Sequence, residues 1–101
     1  MKYLTDENFD EEVKADFSVI DFYADWCGPC QMMGPVFEEL SGEMEEVNFL
    51  KLDTEKYSEL ASKFGIRGIP TLVFLKKGKE AGRITGFVPK EAIREKIEEC
   101  M

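Results

Sequence analysis

Two cysteines three positions apart, Cys27 and Cys30, are the residues of this chain best suited to chemistry. Gly28-Pro29 lies between them and Trp26 precedes them. The pair stands between an apolar run, Phe17 to Ala24, and a stretch with helical periodicity. Two thiols so spaced at a helix start can close a small disulfide ring. The unpaired N–H groups of a first helical turn, and its positive dipole end, favour a thiolate over a thiol. A free cysteine is only a few per cent ionised at neutral pH, so any lowering of its pKa multiplies the nucleophilic fraction. Cys27, at the exposed first turn, is the expected attacking thiol. Cys30, one turn deeper, is expected to be less exposed and to resolve a mixed disulfide. A Cys-x-x-Cys pair can also be an inert structural disulfide or half of a shared metal site. Its place directly after a buried strand favours redox chemistry.

Composition narrows the choice. The chain carries three Cys and no His. A secreted domain of this size held by disulfides would usually carry more cysteines, in an even number. Three thiolates without an imidazole do not complete a tetrahedral zinc set. No metal and no bound cofactor are expected, because the cysteines would themselves be the redox centre. The net charge of −8 disfavours nucleic acid, whose phosphates call for a basic patch. No apolar run approaches the roughly 18 residues of a membrane span, and Met1 to Asp6 does not read as a signal peptide. A cytoplasmic protein, monomeric by default, is expected. Its 101 residues suit one domain, residues 1–101.

The elements that must position the pair alternate at short spacing, which argues α/β packing. Lys2 to Thr5 is predicted as a short strand, and Asp6 to Lys14 as a helix capped by Asp6 or Asn8. Phe17 to Ala24 reads as a central strand buried on both faces. Met33, Phe37, Leu40 and Met44 form a helical stripe after the cysteines, with Pro35 inside it as a predicted kink. Val47 to Asp53 is a strand. Tyr57 to Phe64 is a helix with Gly65 as its cap. Thr71 to Leu75 and Glu80 to Thr85 make a hairpin around Lys76 to Lys79. Lys90 to Cys100 is a last helix, led by Pro89. The Glu43, Glu45, Glu46 cluster reads as a solvated helix end, and Cys100 as a thiol packed on the last helix or loose at the terminus.

Two long runs make the chain recognisable. Asp21-Phe22-Tyr23-Ala24-Asp25-Trp26-Cys27-Gly28-Pro29-Cys30 resembles the active-site run of the thioredoxin family. Gly65-Ile66-Arg67-Gly68-Ile69-Pro70-Thr71 resembles that family's second signature. Phe9, Pro35, Lys51-Leu52-Asp53, Phe74, Gly78 and Gly86 also fall where the family has matching residues. The resemblance spans nearly the whole chain. It implies the thioredoxin fold, a mixed five-stranded sheet with helices on both faces. It also implies a redox-active disulfide that carries electrons in cell redox homeostasis, reduces disulfides in other proteins, and is recycled by a thioredoxin reductase.

The remaining site residues combine both kinds of argument. Asp21 interrupts an apolar strand on the face of Val19 and Tyr23, so burial should raise its pKa into the range of a usable base; at a strand end it would instead be an ordinary solvated carboxylate. The resemblance places it beneath the cysteines, as a helper in deprotonating Cys30. Lys51, between Leu50 and Leu52, either snorkels to water or, as the resemblance implies, pairs with Asp21. An X-Pro bond is cis in only about 5–6% of cases, so the sequence alone predicts a trans Ile69–Pro70 bond, whereas the resemblance implies cis. A substrate groove is then expected along Trp26, Gly28, Pro29, Gly68, Ile69, Pro70 and Gly86, with the Ile69 backbone free to bond an extended strand. Trp26 could otherwise be a core aromatic, and Gly86 a turn glycine. Two departures from the commonest family pattern stand out. Gln31 replaces a frequent Lys and should leave the Cys27 pKa somewhat higher. Tyr23 replaces a frequent Trp and should alter fluorescence more than chemistry.

Overall fold

The structure is a computed structural model that describes residues 1–101. Its elements are β1 (Lys2–Tyr3), α1 (Phe9–Glu12), β2 (Phe17–Tyr23), α2 (Gly28–Glu43), β3 (Asn48–Asp53), α3 (Ser58–Lys63), β4 (Thr71–Lys76), β5 (Lys79–Thr85) and α4 (Lys90–Cys100). The strands form one mixed sheet in the order β1-β3-β2-β4-β5. β1, β3 and β2 run parallel, while β4 and β5 join antiparallel. This is the mixed five-stranded arrangement that the family resemblance implied.

Strand periodicity divides the apolar residues between two faces of the sheet. On one side Phe17, Val19, Phe49, Leu72 and Phe74 pack under Met33, Phe37 and Leu40 of α2, Met44 just after it, and Ile93 and Ile97 of α4. On the other, Ile20, Phe22, Leu50, Leu52, Val73 and Leu75 meet Leu60 and Ala61 of α3, with Phe9 and Phe64 packed against them. β2 lies between β3 and β4 and is buried on both faces, as its apolar run predicted.

Local chemistry sets the element ends. Gly65, at φ +65, follows α3; its N–H bonds the Ser62 carbonyl, and the Ile66 N–H reaches back to Ala61. This double bond pattern closes a helix with a left-handed residue and turns the chain into the 65–70 loop. The β4–β5 hairpin turns on Lys77 and Gly78, both with positive φ, as a two-residue loop of this hand requires. α2 continues through Pro35 to Glu43 without interruption. Two predicted elements are shorter than expected. β1 ends at Tyr3, and α1 begins only at Phe9. Reciprocal bonds between Thr5 and Asn8 hold residues 5–8 in a separate turn: Thr5 N–H donates to Asn8 Oδ1 and Asn8 N–H to Thr5 Oγ1.

The Glu cluster needs correcting at one position. Glu43 is not simply solvated: it takes ion pairs from Lys90 and Arg94 and so ties α2 to α4. Those two cations hold its carboxyl below the usual carboxylate range.

Fully buried Phe37 and largely exposed Met32 lie on the same helix. Phe37→Ala is expected to cost about 3–5 kcal/mol in chemical denaturation, and Met32→Ala less than about 0.5 kcal/mol. Similar losses for the two would contradict this core assignment.

Candidate redox-active site

β2 delivers the chain to the site and α2 takes it away. Cys27 is the N-cap of α2, with extended backbone, and its N–H bonds the Ala24 carbonyl. Cys27 and Cys30 are disulfide-bonded, with Cα atoms 5.2 Å apart. The Cys30 N–H donates to Cys27 Sγ at 3.2 Å. One of the orphan donors of the first turn therefore points at this sulfur, where it would stabilise a thiolate on reduction.

The expected difference in exposure between the cysteines is absent: both are 5% exposed. They differ in their neighbours. Cys27 Sγ lies 3.8 Å from the Ile69 carbonyl oxygen. Cys30 instead lines a cleft on the other side, together with Lys51, Gln31, Gly34, Asp25 and Tyr23.

The Ile69–Pro70 bond is cis, as the family resemblance implied and against the expectation from sequence alone. The Pro70 carbonyl accepts a bond from the Gly86 N–H at 2.7 Å, and the Gly68 carbonyl accepts one from Thr71 Oγ1. These bonds fix the loop beside Cys27. Trp26 is 70% exposed, which excludes a core role. With Gly68 and Ile69 it lines a groove of about 360 Å³. Gly28, Pro29, Pro70 and Gly86 do not line it. Gly86 has φ +96, so the turn requirement predicted as its alternative is present. Thr54, Ser58, Ala61, Ser62, Ile66 and Arg67 complete its lining; Ile66 and Arg67 belong to the second signature run, and none of the six was predicted as a groove residue. Small polar residues at a helix start carry no motif; only the folded position of α3 reveals them.

Asp21 and Lys51 are directly paired in the β2–β3 register. Both point to the side of the sheet covered by α2, since Asp21 alternates with Ile20 and Phe22 and follows Val19 on its face. Asp21 is fully buried, and neither carboxylate oxygen has a hydrogen-bond partner. Burial raises its pKa to about 6, against the opposing pull of Lys51. Lys51 Nζ stands 4.0 Å from Asp21 Oδ2 with only 13% of its side chain exposed, so the lysine does not snorkel. It lies 4.5 Å from the centroid of the Tyr23 ring and 5.9 Å from that of Tyr3. Tyr23 thus touches the charged pair. Its own hydroxyl is pushed up to about 12, chiefly by burial and then by nearby Asp53. Gln31 turns its amide to the Asp25 carbonyl at 2.8 Å. Cys100 is a free, half-buried thiol whose pKa burial raises; it bonds the Ala81 carbonyl on β5.

A mixed sheet that ends a buried strand at a helix-capping Cys-x-x-Cys disulfide, opposite a cis-proline loop, defines a dithiol–disulfide oxidoreductase. The thioredoxin family profile matches residues 1–99, and the chain belongs to that family. A thioredoxin of Staphylococcus saprophyticus is 44% identical over 96 residues, covering 94% of this chain and 92% of that protein. The structure of Fasciola hepatica thioredoxin superposes with a TM-score of 0.89 at 37% identity, covering 100% of both chains. That of Plasmodium falciparum thioredoxin gives 0.91 at 31% identity, covering 98% of each. No helix is long and apolar enough to cross a membrane.

The buried carboxylate has a thermodynamic signature. Its folded pKa lies above its ordinary value of 3.8, so the folded state binds the proton more tightly. Asp21 therefore reduces stability as pH rises from about 4 through about 6, by roughly 3 kcal/mol in all. The difference in unfolding free energy between Asp21→Asn and the wild type is expected to grow by that order over this window. A pH-independent difference would mean that Asp21 is not buried as described.

Proposed function

We propose that this chain is a protein-disulfide reductase in which Cys27 attacks and Cys30 resolves. The observation that carries the reading is the division of the site. Cys27 adjoins the Ile69 carbonyl on the groove side, whereas Cys30 faces the cleft holding Lys51, 4.0 Å from Asp21.

The cycle balances without a cofactor. The Cys27 thiolate attacks one sulfur of a substrate disulfide, forming a mixed disulfide and expelling the other substrate sulfur as a thiolate. Cys30 then gives its proton to Asp21, and its thiolate attacks Cys27 Sγ. The Cys27–Cys30 disulfide forms, the second substrate sulfur leaves, and the substrate has gained two electrons. A thioredoxin reductase returns two electrons to the pair.

Each remaining residue has a part. Lys51 offsets the burial of the Asp21 charge and keeps its pKa from rising further. The Gly28-Pro29 dipeptide, Gly68 and Gly86 leave room for an approaching backbone, and Trp26 supplies apolar contact. An extended substrate segment bonds the Ile69 main chain beside Pro70 as an added short strand. The chain acts as one domain and a monomer in the cytoplasm, on disulfide-containing proteins and not on nucleic acids or membranes.

Cys27→Ser is expected to lower reduction of a protein disulfide to the uncatalysed background. Cys30→Ser is expected to accumulate a covalent adduct between Cys27 and the substrate, seen as an added mass that a reducing agent removes. Retained turnover in Cys27→Ser would refute the assignment.

A further inference from the structure

The Lys51–Asp21 pair lacks a directional lock. The ammonium and carboxylate are 4.0 Å apart, and neither Asp21 oxygen has a hydrogen bond. Lys51 has no other carboxylate partner, and the cleft of about 390 Å³ beside it opens at Gln31 and Gly34. A four-carbon stem in that position would ordinarily extend to water. Instead its ammonium lies between two ring faces, Tyr23 at 4.5 Å and Tyr3 at 5.9 Å. An aromatic face attracts a cation within about 6 Å of its centroid, and more strongly where water is thinned out. Three adjacent strands build this seat. Tyr3 pairs with Lys51 in the β1–β3 register, Asp21 pairs with it from β2, and Tyr23 lies two residues after Asp21 on the same face. The two-residue strand β1 thereby gains a use beyond covering the sheet edge.

We infer that Tyr23 and Tyr3 are positioning residues: their rings hold the Lys51 ammonium beside Asp21, and so tune the proton acceptor used when Cys30 resolves the mixed disulfide. This rests on the acid–base reading of Asp21 and Lys51 given above. The charged and titratable groups around the pair are Asp25 and Tyr23 at the end of β2, Tyr3 on β1, Asp53 on β3 and Cys30 on α2. Lys56 and Tyr57 line a neighbouring cleft with Tyr3, Tyr23 and Asp53, and Lys51 is the cation paired with Asp21. Without the rings the ammonium moves towards water, Asp21 keeps its proton to higher pH, and resolution slows near neutrality.

The resolving step is isolated by mixing the reduced protein with an aromatic disulfide that releases a coloured thiolate. The first equivalent reports attack by Cys27, and the second reports resolution by Cys30. A neighbouring opposite charge is worth about 1–3 pH units to a carboxylate, so Tyr23→Leu is expected to raise the midpoint of the second phase by about half a unit or more. Tyr3→Leu is expected to move it the same way by less, and Tyr23→Phe, which keeps the ring face, to leave it in place. In a Lys51→Met background, Tyr23→Leu should add nothing. If both leucine variants keep the wild-type midpoint while Lys51→Met shifts it, the seat is wrong and the acid–base reading stands. An unchanged profile in Asp21→Asn overturns both. Should Tyr23→Leu not fold, exposed Tyr3 supplies the variant. The folded wild type provides a direct check: ring currents should move the Lys51 ε-methylene protons upfield, and random-coil shifts there would overturn the inference.

Discussion

A carboxylate buried without a hydrogen bond is the constraint around which this molecule is arranged. Removing an ionised group from water without pairing it is costly, and such a group shifts its pKa instead. Asp21 occupies the central strand of the sheet, where every other inward position of β2 except Ser18 is apolar. A leucine there would extend the core beneath α2. The register instead sets Asp21 against Lys51, and Lys51 against two tyrosines and the cleft that Cys30 lines. Stability is lost at the position that the proposed cycle uses as its proton acceptor, with a midpoint near 6.

The second arrangement is the junction between β2 and α2. A strand buried on both faces cannot shift, and α2 is pinned by Met33, Phe37 and Leu40 in the core and by Glu43 to α4. The first turn of α2 is therefore held in place, with Cys27 as its cap. The two cysteines share one ring and one exposure but face different surroundings. One adjoins the loop that ends in cis-Pro70, and the other adjoins a polar cleft. In the proposed cycle that asymmetry, rather than depth, separates the thiol that attacks substrate from the thiol that releases it.

Much of this was legible in the sequence. Apolar runs at Phe17 to Ala24 and Thr71 to Leu75 marked the inner strands, and the Met33–Phe37–Leu40–Met44 spacing gave the face of α2. The cysteine spacing gave the chemistry. Other features needed tertiary information. Residue statistics favour a trans bond before Pro70, and only the family resemblance pointed to cis. Lys51 between two leucines fits snorkelling as well as pairing until the rings of Tyr3 and Tyr23 are seen around it. Asp6 and Asn8 were each plausible caps, and the reciprocal bonds between Thr5 and Asn8, invisible in propensity, shortened α1. Glu43 looked solvated because its partners, Lys90 and Arg94, lie about 50 residues away in sequence. The α3 wall of the groove has no sequence signature at all.

The equilibrium reduction potential of the Cys27–Cys30 pair, titrated at pH 7 against a dithiol buffer, tests the account most directly. Proteins of this family that act as reductants sit near −270 mV, and oxidants and isomerases at about −120 to −180 mV. The account places this pair at the reducing end, close to the family value. A potential in the −120 to −180 mV range would contradict it, and would make the same site a donor of disulfides.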